Sequence, residues 1–169
     1  VGVPIGTEGG PMRVRTLLIV SLVVVGMIAA VMPASADSIG EEGCTPGFWK
    51  GHTDDWLEEP GVRSYETDDL FGDVFGVSYG DVTLLEALQG GGGNNLAGAK
   101  KILARAATAA ILNAASEDLG YPLRRNVATE AGPAIIPAVQ AAWAGTRADM
   151  IDLAKFLDDL NNLGSDDFC

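Results

Sequence analysis

The sequence predicts an all-α protein: a compact bundle of short and medium helices, closed by a disulfide between the two ends of the mature chain. Three observations lead there. Apolar residues recur at steps of three and four between Leu96 and Ala114. No long alternating run and no repeat of fixed period occurs elsewhere. The only two cysteines, Cys44 and Cys169, stand near the two ends of the chain that remains once an export signal is removed.

The first element is that signal, over residues 12–36. From Met12 the order is basic (Arg13, Arg15), apolar (Thr16 to Val31) and then small, with Ala34-Ser35-Ala36 as the cleavage site and Asp37 as the expected mature start. A spanning helix needs about 20 apolar residues. This run is shorter and ends at Pro33, so cleavage is expected rather than a retained anchor, with no membrane insertion afterwards. Residues 1–11 have no place in such a signal and are read as a start assigned too early, with Val1 as a GTG codon. Residues 37–43 form a polar, flexible lead-in, and 44–169 a single helical domain.

The mature chain, residues 37–169, holds 9 Lys and Arg against 22 Asp and Glu, a net charge of −13. Nucleic acids and anionic lipids both require a basic patch that releases counterions, so neither is expected as a partner. A domain of about 130 residues buries a core without staples. Export places Cys44 and Cys169 in an oxidising compartment where such a pair closes, two unrelated free thiols being the alternative. The bridge would enclose nearly the whole domain, worth about 4 to 5 kcal/mol in the chain-entropy model.

The helices come in order. Thr45 and Pro46 read as N-cap and first helical residue of a single turn that Gly51 stops. Thr53-Asp54-Asp55 caps a second turn carrying Trp56, and Glu58 to Glu66 is loop. Thr67-Asp68-Asp69 opens a short helix with acids in its first turn, placing Phe71 and Phe75 on one face. A brief strand over Val74–Tyr79 stays open as an alternative. Thr83 and Glu86 match the capping box, and the helix they start ends at Gly90–Gly93.

From Asn94 or Asn95 the longest helix runs to about Ser116. Leu96, Ala99, Leu103, Ala106, Ala107, Ala110, Ile111 and Ala114 form its apolar face, with Lys101, Arg105 and Thr108 opposite; its alanines suit it to the centre of a bundle. Leu123–Ala131 and Ala134–Trp143 are read as two further helices, interrupted by Gly132-Pro133, with Pro137 in the first turn of the second. Thr146, with Asp149 three residues on, caps the last helix, along which Met150, Leu153, Leu157 and Leu160 recur until Gly164.

The stretch Gly43–Trp56 concentrates the unusual chemistry, holding two of the three tryptophans, the only histidine and one cysteine. His52 with Asp54 and Asp55 puts one His and two acids in one short segment, with no second His in the chain to build a metal site, and the acids at 68, 69, 73, 166 and 167 lack calcium-loop spacing. No metal and no cofactor is expected. A Ser-His-Asp set from His52, Asp54 and Ser64 or Ser78 lacks the nucleophile elbow, so no catalytic residue is assigned. The glycine run lacks the Lys and Ser/Thr of a phosphate loop and is read as a linker. Phe48, Trp49, Trp56 and Tyr65 suit either a small core beside the disulfide or a stacking surface for a glycan or a protein.

Cys44-Thr45-Pro46-Gly47-Phe48-Trp49-Lys50-Gly51-His52, with Trp56 after it, resembles the C-T-x-G-[YF]-W-K-N-H opening of a family of secreted bacterial and archaeal domains of uncharacterised function. The resemblance continues through Leu84–Leu88, the glycine run, Ala110–Ala115, Tyr121–Leu123 and Leu160–Gly164. Gly51 stands where the family has Asn, and Cys169 lies beyond the family's Gly-Cys ending. The resemblance implies export and brings no activity. Two functions are therefore expected in order: a non-enzymatic, exported structural or interaction domain at or outside the cell surface, and, as the alternative, a carbohydrate-binding or glycan-cleaving module using Trp49, His52 and Trp56. The first expects buried indoles, the second a shared concave surface.

Overall fold

A computed structural model describes residues 2, 42–56, 65–116, 119–165 and 169. The chain divides into two compact units, Val1–Ala36 and Asp37–Cys169, and the second holds all the described helices. The expected signal peptide, residues 1–11 apart from Gly2, and most of the lead-in lie outside the described residues, as do 57–64, Ser64 among them.

Among its described residues the second unit has six α-helices: α1 (Pro46–Gly51), α2 (Phe71–Phe75), α3 (Leu84–Gln89), α4 (Leu96–Asn113), α5 (Ile135–Ala144) and α6 (Arg147–Asn161), with a 3₁₀ turn at Thr53–Trp56. Among the described residues there is no strand, only isolated bridges at Gly43–Gly164, Leu70–Thr83 and Thr129–Gly132. Cys44 and Cys169 form a disulfide that joins the ends of the unit across 125 positions. The protein is all-α.

Helix α4 is the axis. It packs most extensively on α6 and also meets α1, α3 and α5. Its first turn is capped by Asn95, whose Oδ1 accepts from the Gly98 N–H at 2.8 Å. From Ala106 to Asn113 every residue is buried, because the small alanines let neighbours close in on all sides. Thr108, expected on the polar face, is therefore fully buried; its hydroxyl donates to the Ala104 carbonyl at 2.9 Å, which is how it tolerates that position. The glycine run is more than a linker. Gly93 lies against Gly98, where an added Cβ would stand 2.4 Å from the Gly93 Cα, so the loop docks backbone to backbone on the first turn of α4.

Local signals at the other helix starts hold where they rest on residues three apart. Thr83 with Glu86 and Thr146 with Asp149 both form reciprocal capping boxes. The short helix expected from Thr67 starts later than expected. The segment Thr67–Asp69 is a turn and bend rather than a first helical turn, because its carbonyls serve α3: the Asp69 carbonyl accepts from Leu84 N and that of Thr67 from Leu85 N, and α2 begins only at Phe71. The strand weighed over Val74–Tyr79 is absent, since α2 runs to Phe75 and Gly76 turns it off with φ 67°.

Leu123–Ala131 is irregular rather than helical. Its Arg124 and Arg125 carbonyls accept the N–H groups of Ile135 and Ile136, the first donors of α5, whose cap residue Ala134 has no side-chain oxygen to offer. The Arg124 guanidinium donates in turn to the Tyr121 and Leu123 carbonyls. Helix α5 docks through Trp143, which lies 5.4 Å from Phe71 and 4.8 Å from Tyr79 between ring centroids, while the Gln140 amide donates to the Phe75 carbonyl at 2.9 Å.

Candidate functional site: the clasp around Asn113

The site begins with a helix cap. The Thr45 hydroxyl accepts from Phe48 N at 3.1 Å and Pro46 fixes the first turn, which turns Trp49 inward until it is 1% exposed. Its indole N–H donates to Asn113 Oδ1 at 2.8 Å. The same oxygen accepts from the Cys44 N–H at 3.0 Å. On its other side the Asn113 amide donates to the Cys44 carbonyl at 3.0 Å and to Asn161 Oδ1 at 2.9 Å. Both lone pairs and both hydrogens of the Asn113 amide are thus used, which leaves one orientation possible.

Asn161, at the end of α6, extends the network. Its Oδ1 also accepts from the Tyr121 hydroxyl at 2.9 Å, and its Nδ2 donates to the Ala106 carbonyl at 3.0 Å. All of these side chains are fully or almost fully buried, and burial pushes the Tyr121 hydroxyl well above the ordinary tyrosine range. No sequence motif singled out Asn113, Tyr121 or Asn161 individually. A signal was available: Asn113 follows Ala106 and Ala110, and Asn161 follows Ala154 and Leu157, at helical steps on buried stripes.

Around this centre the two ends of the second unit close. Gly43 and Gly164 exchange backbone hydrogen bonds at 3.0 and 2.9 Å. Glu42 reaches both neighbours, its carboxylate accepting from Gly120 N at 2.7 Å and from the Ser165 hydroxyl at 3.0 Å.

The three residues read as tentative ligand contacts do not share a surface. Trp49 and Trp56 are both in the core, and the Trp56 indole donates to the Trp49 carbonyl at 2.9 Å. His52 is exposed, its ring stacked on Phe48 with centroids 4.2 Å apart and its Nδ1 donating to the Phe48 carbonyl at 2.9 Å. A cavity of about 320 Å³ lies between Thr53–Asp54 and Glu66–Asp68, with Trp56 and Tyr65 in its wall. Among the described residues no group of three His, Cys, Asp or Glu is placed to hold a metal, and no helix is long and apolar enough to cross a membrane.

Comparison of the chain with protein-family models, with curated proteins and with solved structures finds no match.

Proposed function

We propose that the chain is an exported, non-enzymatic helical domain with a structural or interaction role at or outside the cell surface, as its resemblance to secreted domains of the C-T-x-G-[YF]-W-K-N-H type implies. One observation carries this reading. The indole N–H groups of Trp49 and Trp56, the polar handles a sugar-binding site would present, are spent inside the fold on Asn113 and on the Trp49 carbonyl. The strongly acidic composition and a disulfide that joins the chain ends also suit a protein working outside the cytoplasm.

The alternative, a glycan-binding or glycan-cleaving module, draws on the exposed Phe48–His52 stack and on the cavity beside Asp54. A glycan array probed with the secreted protein separates the two. The first reading expects no saturable glycan signal; a signal that His52→Ala abolishes, in a protein whose circular dichroism is unchanged, replaces it with the second. Mass mapping of the N-terminal peptide of the secreted protein tests export itself, with Asp37 as the expected first residue.

A further inference from the structure

We infer that the strap Glu42-Gly43-Cys44 closes the domain on its own, and that the Cys44–Cys169 disulfide is a secondary tie whose reduction releases Cys169 without opening the fold. The strap is held at every residue, by Gly120, by the adjacent Gly164 and Ser165, and by Asn113 of α4. Glu42 is bound through its carboxylate to Gly120 N and the Ser165 hydroxyl. Gly43 is bound through both backbone groups to Gly164. Cys44 is bound through both backbone groups to the side chain of Asn113.

None of these contacts uses a sulfur atom. What positions Cys44 is its main chain, gripped by an asparagine that is itself fixed by Trp49 and Asn161. The two cysteines also differ in setting: Cys44 is fully buried in the core, whereas Cys169 is exposed. Backbone fit adds a further constraint. A Cβ on Gly43 would stand 2.1 Å from the Leu160 carbonyl oxygen, so the strap lies directly against the last turn of α6 and only glycine lets it do so.

In a network of this kind the strap amides exchange with solvent only when the whole domain unfolds, whichever redox state the cysteines are in. Oxidation then sets how firmly the chain end is tethered, and the strap sets whether the domain is closed. Hydrogen exchange of the full chain distinguishes this from a fold stapled by its disulfide. In Cys169→Ser, and in the wild-type protein held reduced with a phosphine, the amides of Gly43, Cys44 and Gly164 are expected to exchange at the rate of the α4 core amides.

In Gly43→Ala with the disulfide intact, the Cys44 and Gly164 amides are expected to exchange about tenfold or more faster than that core. The inference is overturned if Cys169→Ser does not fold, if its strap amides exchange about tenfold or more faster than α4, or if Gly43→Ala leaves them as protected as α4.

Discussion

Replacing Asn113 by Ala would strand the Cys44 N–H and C=O, the Trp49 indole N–H and one acceptor site on Asn161 in a region closed to water. Each unsatisfied buried group costs roughly 1 to 3 kcal/mol, so the loss should exceed about 4 kcal/mol, at the far end of the range for single substitutions. A urea unfolding series against the wild type measures it. Asn113→Asp is the sharper control, since it keeps the acceptors, loses both donors and buries a charge; it should be no more stable than the alanine variant. Tyr121 adds a pH dependence of fixed sign. Its hydroxyl ionises near pH 10 in the unfolded chain and well above that in the fold, so above about pH 10 the native state holds the extra proton and stability falls as pH rises. Tyr121→Phe should lose its hydrogen bond, worth about 1 kcal/mol, and flatten the alkaline limb of the stability curve.

Helix starts carry predictions of a different kind. The Asp149 carboxyl is held below the usual carboxylate range by the backbone N–H of Thr146 and then by its hydroxyl. A depressed carboxylate contributes stability that is present above its unfolded pKa and lost as pH falls through the folded one. Asp149→Asn should therefore remove part of the acid-side decline in thermal midpoint. At Gly98 two effects oppose. Alanine is favoured over glycine in a helix by up to about 1 kcal/mol, and by less in a first turn such as this one, but here its Cβ would meet three Gly93 backbone atoms at 2.4 to 2.5 Å. Backbone cannot yield as a flexible side chain would, so Gly98→Ala should lower the thermal midpoint, and a rise would show the glycine loop to be free to move. The same contrast explains what could be read from the chain. Both capping boxes were legible because their partners sit three residues apart. The segment Leu123–Ala131 was not, since its conformation answers to the unmet donors of α5 rather than to its own propensity.

For the molecule as a whole, the all-α class and the disulfide were legible from periodicity and from the placing of two cysteines. The organisation of the centre was only half so. A polar residue on the apolar stripe of α4 and another on that of α6 are visible in the sequence, yet their pairing joins positions 48 residues apart and their link to Cys44 spans 69. Such partners are chosen by packing, and no local rule reaches them. The Gly43–Gly164 pairing has one more consequence. A unit whose chain enters and leaves at adjacent residues has, in effect, a single point of attachment, so it can be carried as an insert within a loop of another protein without prying its ends apart. By the same geometry, a circular permutant that joins Ser165 to Glu42 through a short linker and opens between Gly90 and Gly91 should fold and keep its native near-ultraviolet tryptophan signal.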